Sequence, residues 1–203
     1  MGIQHILLIF LLITGVQFSF SQDTLVLLNG DVRVGKITHS DSLSVMYNYQ
    51  KGKKSKTRTL STEIIYSIKI GLNPVQIIYT QGSDYTHQLS VLEMGYYLYG
   101  IQDAKSFYRT PWTFWGGVVF NAGVGYLLYD NFLAATGPLA YTVGAGISKV
   151  KIKPAINRPV EIMRNSNYQE GYLKVARSKK VYDALTGSLA GLLIGITVGH
   201  ATN

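Results

Sequence analysis

The chain contains no cysteine and few charged residues. The lack of cysteine across 203 residues excludes disulfide bridges, thiol catalysis and thiolate metal sites. Charged residues make up 15% of the chain, against roughly a quarter in average soluble domains. Hydrophobic residues make up 47%. This composition favours a membrane protein over a soluble one.

Signals for catalysis and cofactor binding are also lacking. None of the four histidines stands at metal-ligand spacing from another His, Asp or Glu. The chain has no G-x-S-x-G motif, phosphate loop or dinucleotide fingerprint, and its glycines are concentrated within apolar runs. We therefore predict no catalytic residue, no metal site, no cofactor and no enzymatic activity.

Positive charge is concentrated in one segment. The net charge is +8, and residues 149–180 contribute nine Lys/Arg against two Asp/Glu. Beside apolar runs, such a segment indicates contact with lipid headgroups or an orientation signal, and we expect no nucleic-acid partner. Residues 149–181 are interpreted as a basic connector followed by an amphipathic helix. An ordinary solvated helix explains its charges equally well; the candidate lipid-contacting residues are Lys174, Arg177, Lys179 and Lys180.

The last segment, residues 182–203, has glycines at a strict spacing of four: Gly187, Gly191, Gly195 and Gly199. This spacing puts them on one slowly winding face of a helix. No charged residue follows Asp183. In lipid, a smooth glycine face lets another helix backbone approach closely, so we predict a transmembrane helix that packs through a glycine zipper. Its packing partner is either a second copy of the chain or another helix of the same chain.

Residues 112–148 form a Gly-rich apolar region that is interrupted by Asp130 and Asn131. The 18 residues before the interruption and the 17 after it are uncharged. We predict either a membrane hairpin that turns at Asp130 or one span followed by a broken half, giving two or three spans in total. Asp130 is therefore a turn residue or an intramembrane carboxylate. The small residues predicted to pack helices together here include Gly117, Gly125 and Gly144.

The N-terminal part of the chain reads as a leader followed by a small β domain. Residues 1–21 resemble a secretory signal peptide, because an apolar run from Ile6 to Val16 precedes Ser19-Phe20-Ser21. Residues 22–82 alternate short strands with turns such as Asn29-Gly30-Asp31. The pattern Leu28-x-Gly30-Asp31-x-x-x-Gly35-x-Ile37 resembles SH3-like and Sm-like small barrels. We therefore expect an α+β protein with an SH3/Sm-like β-barrel-type domain.

Residues 83–111 are predicted to form a helix leading to the membrane, with a capping box at Ser90 and Glu93. Three motifs carry a resemblance: Asp23-Thr24-Leu25-Val26-Leu27-Leu28-Asn29-Gly30-Asp31, Gly100-Ile101-Gln102-Asp103-Ala104-Lys105-Ser106-Phe107-Tyr108, and Asn167-Tyr168-x-x-Gly171-Tyr172-x-x-x-Ala176-x-x-Lys179-Lys180. Together with the β domain and the apolar helices, they make the chain similar to envelope proteins common in Bacteroidota. The resemblance implies an architecture and a compartment, and it brings no activity with it.

These features suggest a membrane-anchored protein of the cell envelope with a structural or protein-interaction role. Its helical spans favour the inner membrane over the outer one, and the signal peptide places the β domain outside the cytoplasm. The expected partners are membrane lipid and either another protein or a second copy of the chain. The alternative is a small pore or transport-accessory protein, because three faces of small residues and Asp130 occur together.

Overall fold

The computed structural model describes residues 22–82, 88–153 and 158–202, and the predicted signal peptide over residues 1–21 lies outside them. The fold class is α+β, as expected. The chain divides between Tyr79 and Thr80 into two compact units. We call them the sheet unit and the helical unit.

The sheet unit is a six-stranded antiparallel sheet with the strand order β4-β3-β2-β1-β5-β6. Its strands are β1 (Asp23–Leu27), β2 (Val32–Ser40), β3 (Ser44–Lys51), β4 (Lys54–Ser61), β5 (Ile65–Lys69) and β6 (Gln76–Ile77). The predicted turn at Asn29-Gly30-Asp31 is confirmed, and Gly30 adopts a φ of 78° that suits glycine. A single 3-10 turn, Thr62–Ile64, joins β4 to β5.

The predicted closure of this sheet into a barrel is wrong. Within residues 22–82, β4 pairs only with β3 and β6 pairs only with β5, so both edges are open. The strand β6 has two residues, and both pair with β5. The other edge strand, β4, carries Lys54, Lys56 and Arg58, and edge charges of this kind oppose further strand pairing.

One face of the sheet forms an apolar core. Its buried residues are Leu25, Leu27, Val45, Tyr47, Ile65 and Ile68. Asp23 is also buried, and its carboxylate accepts hydrogen bonds from the backbone N–H groups of Ile37 at 2.7 Å and Gly71 at 2.8 Å. Burying a carboxylate costs free energy unless it is hydrogen-bonded, and these two bonds supply the partners. Through them, Asp23 links β1 to β2 and to the residues that follow β5.

The helical unit contains α1 (Val91–Phe107), α2 (Pro111–Leu127), α3 (Thr136–Ile147), α4 (Val160–Arg164) and α5 (Ser166–Thr202). A 3-10 turn, Phe132–Ala135, precedes α3. The predicted capping box at the start of α1 is confirmed: Ser90 Oγ accepts the Glu93 N–H at 3.3 Å, and Glu93 accepts the Ser90 N–H at 2.8 Å. The Ser90 hydroxyl also donates to the Glu93 carboxylate at 2.7 Å, and this bond, together with the one from the Ser90 N–H, holds the pKa of Glu93 below its usual value.

The 37-residue helix α5 is the axis of this unit. It joins the predicted amphipathic helix and the predicted terminal span without a break. The helices α1 and α2 follow one another along it in the same direction, since Tyr97 meets Gly171 and Val118 meets Gly191. In contrast, α3 runs back along α2, because Gly137 approaches Asn121 while the Tyr141 hydroxyl donates to the Thr113 carbonyl at 2.9 Å.

Candidate functional site

The glycine face of α5 is filled by the backbone of α2. A Cβ at Gly191 would overlap the carbonyl oxygen of Val118 and lie 2.8 Å from its Cα. Gly187 and Gly195 meet the carbonyls of Phe114 and Ala122 in the same way. The four-residue spacing therefore places one glycine at each successive turn of α2. This is a close backbone contact of the kind that small residues allow between membrane helices.

Small residues of α2 complete the contact from the other side. A Cβ at Gly117 would lie 3.0 Å from the Ser188 N and Oγ atoms, and one at Gly125 would lie 2.7 Å from the Leu192 carbonyl oxygen. At the far end, Gly199 lies against the ring of Tyr129. The glycine face that could have paired two copies of the chain is thus occupied within one chain.

The third predicted packing surface is different. A Cβ at Gly144 would meet nothing within 4 Å, so this glycine takes no part in a helix contact. It lies on the exposed side of α3. The regular spacing of Ala140, Gly144 and Ser148 therefore marks a shallow surface rather than a helix interface.

Asp130 lies in the exposed turn between α2 and the 3-10 turn that begins at Phe132. The neighbouring Asn131 side chain accepts the Leu133 N–H at 2.9 Å and so begins that turn. The chain reverses direction here, because α2 and α3 are antiparallel. This position agrees with the interpretation of Asp130 as a turn residue.

Burial in α2, α3 and the second half of α5 is inverted relative to a soluble protein. The buried residues of α2 are Gly117, Asn121 and Gly125, and those of α5 beyond Asp183 are Ala184, Gly187, Ser188, Gly191, Gly195 and Gly199. Large apolar side chains face outward instead, including Val119 (74% exposed), Leu193 (67%) and Ile147 (82%). Soluble proteins bury such residues, so this surface suits a hydrocarbon environment.

The first half of α5 packs on α1 through two of the motifs on which the family resemblance is based, residues 100–108 and residues 167–180. Gly100 of α1 lies against the Tyr168 carbonyl, and Gly171 of α5 lies against the Tyr97 carbonyl. Each motif therefore contributes a glycine that admits the backbone of the other helix. Both Tyr168 and Tyr172 are fully buried in this contact.

A buried carboxylate holds these helices and the connector together. Asp103 is 7% exposed, and its Oδ2 accepts a hydrogen bond from the Tyr168 hydroxyl at 3.0 Å and from Arg158 Nε at 3.1 Å. The Arg158 guanidinium also lies 4.0 Å from the ring centroid of Tyr99. Burial and the Asp103 carboxylate raise the pKa of Tyr168, because both disfavour a phenolate. This group is a structural clamp.

A second polar contact lies at the break between α1 and α2. Lys179 Nζ donates to the last carbonyls of α1, at 3.1 Å from Ala104, 2.6 Å from Lys105 and 3.3 Å from Tyr108. One turn later, Asp183 accepts the hydroxyl hydrogen bond of Thr110, the residue before α2. A cation at a helix C-terminus and an anion at a helix N-terminus both oppose the local helix dipole. The pair therefore stabilises the break.

The four candidate lipid-contacting residues have different surroundings. Lys179 is turned inward, and burial lowers its pKa. Lys180 binds the end of α3 through Ser148 Oγ and the Ser148 carbonyl oxygen. Lys174 donates to the Tyr97 hydroxyl at 2.9 Å, whereas Arg177 is exposed. The charge pattern could not distinguish these roles, because each depends on a partner far away in the sequence.

No set of three His, Asp or Glu side chains comes together as a metal site in residues 22–82, 88–153 or 158–202. By length and composition, one helix of the described chain, Ser166–Thr202, can cross a membrane, and Phe132–Ile147 is a shorter apolar segment. Comparison with protein-family models, curated proteins and solved structures gave no match. The resemblance to Bacteroidota envelope proteins therefore stays a prediction.

Proposed function

We propose that this protein is a membrane-anchored envelope protein whose helical unit inserts through three spans and whose sheet unit binds another protein. The observation that carries the anchor is the inverted burial of α2, α3 and the second half of α5. In water, these exposed Leu, Val, Ile, Phe and Trp side chains would be a large unfavourable surface. In lipid they are solvated, and contact between small residues holds the helices together.

The direction of the helices supports three crossings. The helices α2 and α5 run the same way and α3 runs back between them in sequence, so each crossing reverses the previous one. The second half of α5, residues 184–202, rises about 28 Å, which approaches the thickness of a bilayer core. The helix α2 has 17 residues, at the short end of the spanning range, and α3 has 12, or 16 with the 3-10 turn that precedes it, so the second crossing is the shortest of the three. The basic connector then lies on the same side as the start of α2.

A topology map tests the anchor. Single cysteines at Lys54, Asn131, Arg164 and Thr202 can be introduced one at a time, since the chain has no native cysteine. Cells with a permeabilised outer barrier are treated with an impermeant thiol reagent. Three spans with an extracytoplasmic sheet unit predict labelling at Lys54 and Arg164 and protection at Asn131 and Thr202. Labelling at Thr202 with protection at Arg164 would contradict three spans, and labelling at all four would contradict the anchor.

Exposed apolar residues support the binding role of the sheet unit. Leu72 is 93% exposed and Val75 is 56% exposed, and both lie in the segment between β5 and β6. Two exposed apolar side chains three residues apart in one loop can bind an apolar patch on a partner protein. In-cell crosslinking of the full chain and of a variant carrying Leu72→Ser and Val75→Ser tests this. We expect the variant to lose crosslinked partners; retention of every partner would remove the binding role.

The alternative function, a small pore or transport accessory, has one observation in its favour. Three buried polar atoms have no hydrogen-bond partner among the described residues: Asn121 Oδ1, Thr142 Oγ1 and Ser188 Oγ. They come from α2, α3 and α5, which form the proposed membrane bundle. Purified protein in liposomes should give no ion or solute flux under the anchor proposal. Flux that is abolished by Asn121→Leu would favour the pore instead.

A further inference from the structure

A groove of about 600 Å³ lies between α2 and α3 on the outer surface of the helical unit. Its lining includes the aromatic side chains of Trp112, Phe120 and Tyr141 and the small residues Ala140 and Gly144. The rings of Phe120 and Tyr141 are stacked, with centroids 5.8 Å apart. The groove is open at Gly144, because this glycine has no side chain and a Cβ there would meet nothing within 4 Å.

One end of the groove is positively charged. Lys180 and Ser148 line it there, and Lys149 follows directly in sequence. Among the described residues no carboxylate forms an ion pair with Lys180 or Lys149. The Lys180 ammonium donates to Ser148 Oγ and, at 3.3 Å and 3.4 Å, to the carbonyl oxygens of Ser148 and Lys149; these acceptors are neutral and supply no negative charge. The groove therefore combines an apolar channel with an uncompensated cationic end.

This arrangement lies at the boundary between charged and uncharged sequence. The last charge before α2 is Arg109, three residues before Trp112, and the uncharged segment that includes α3 ends at Ser148, just before Lys149. Trp side chains are enriched at the headgroup level of membranes, and juxtamembrane cations attract anionic lipids. If the helices insert as proposed, the cationic end lies beside the headgroups and the apolar channel runs into the acyl region.

We propose that the groove binds one anionic phospholipid, with an acyl chain over Gly144 and Ala140 and the phosphate beside Lys180 and Lys149. This proposal rests on the proposed membrane insertion. An acyl chain can pack against the apolar lining of the groove, and a phosphate supplies the negative charge that the cationic end lacks. The site would thus retain one lipid selectively, unlike the remaining lipid-facing surface.

Quenching of Trp112 fluorescence by brominated lipid tests the proposal. The full chain, carrying Trp115→Phe so that Trp112 is the single tryptophan, is reconstituted in phosphatidylcholine vesicles. Dibrominated phosphatidylglycerol or dibrominated phosphatidylcholine is then added at equal low mole fraction. Each headgroup cation contributes about 1 kcal/mol to binding of an anionic lipid. We therefore expect dibrominated phosphatidylglycerol to quench Trp112 at least about fivefold more strongly than dibrominated phosphatidylcholine. Equal quenching by the two lipids would overturn the lipid site.

Two glycines provide a matched comparison. Gly144→Leu fills the groove and should abolish the preference, whereas Gly123→Leu should keep it, because a Cβ at Gly123 also meets open space but lies outside the groove. A preference that survives Gly144→Leu would overturn the proposal.

The charge is tested separately with Lys149→Gln, which leaves the Lys180 contacts in place and should reduce the preference about fivefold. An unchanged preference would show that Lys149 does not face the phosphate. Loss of quenching by both lipids would instead contradict membrane insertion, so failure of the lipid site and failure of the anchor give different results.

Discussion

The two units of this protein bury opposite kinds of residue. The sheet unit encloses large apolar side chains such as Leu25, Val45 and Ile65, and exposes lysines along its edge strand. The bundle of α2, α3 and the second half of α5 encloses glycine, alanine, serine and asparagine, and exposes large apolar side chains. Hydrophobic burial stabilises the first arrangement in water. The second arrangement relies on close backbone contact, which is the packing that the proposed insertion in lipid requires.

The largest effect should come from adding a side chain at the centre of the glycine contact. Gly191→Leu would drive four carbons into the Val118 backbone, so we expect α2 and α5 to separate at a cost of more than about 3 kcal/mol, the upper range for overpacking. Unfolding in mixed micelles can be followed through Trp112 and Trp115, both on α2. Gly123→Leu, in open space, is the control; equal loss of stability in both variants would contradict the contact.

Truncating an apolar side chain should cost much more stability in the sheet unit than in the helical unit. Ile65→Ala removes a fully buried side chain from the sheet core and should cost about 3 kcal/mol. Val119→Ala removes an outward-facing side chain of α2 and should cost less than about 0.5 kcal/mol. Hydrogen exchange of β1 and α2 amides in the full chain measures both. A loss of protection in α2 after Val119→Ala that matches the loss in β1 after Ile65→Ala would break the comparison.

The smallest effect is a pH dependence of the contact between α1 and the first half of α5. This contact combines close backbone approach at glycines with buried large side chains. Burial raises the pKa values of Tyr108, Tyr168 and Tyr172. Their contribution to stability is therefore complete below the unfolded-state pKa of about 10 and is lost as the pH rises through the raised folded-state values. Melting followed by circular dichroism should therefore show helix stability that this group of tyrosines leaves unchanged up to about pH 9 and that falls as the pH rises above about 10.

Tyr168→Phe sharpens this prediction. At neutral pH it should cost about 1.5 kcal/mol, because the buried Asp103 carboxylate loses a hydrogen bond. Part of the alkaline loss should also disappear with the phenol. Tyr182→Phe, at a position 66% exposed, should change neither property. An identical pH dependence in the native chain and in Tyr168→Phe would show that Tyr168 does not contribute to it.

Local rules predicted the elements that depend on neighbouring residues. The capping box at Ser90 and Glu93 needs only a spacing of three, and the turn at Asn29-Gly30-Asp31 needs a glycine that accepts a positive φ. The fold class followed from alternating strands before long apolar segments. Closure of the sheet could not be predicted in this way, because it depends on whether the two edge strands, β4 and β6, pair with each other. The chain between them, from Ser61 to Gln76, contains 14 residues.

Residue roles were less predictable where a long-range partner sets them. Gly144 and Gly191 have the same local spacing of small residues, yet one lies in an open groove and the other under a helix backbone. Lys179 and Lys180 are adjacent, yet one binds the end of α1 and the other the end of α3. Neighbouring side chains on a helix point about 100° apart, so adjacent residues face different helices.

The sequence by itself determined that this protein has a β part and an apolar helical part, that thiol chemistry is excluded and that one face of the last helix is smooth. These properties follow from composition and from periodicity, which are local. The tertiary structure alone decided that α2 fills the glycine face, that Asp103 clamps Arg158 and Tyr168, and that the sheet stays open. Each of these depends on residues far apart in the chain, and their meeting is fixed by the packing of whole helices and strands.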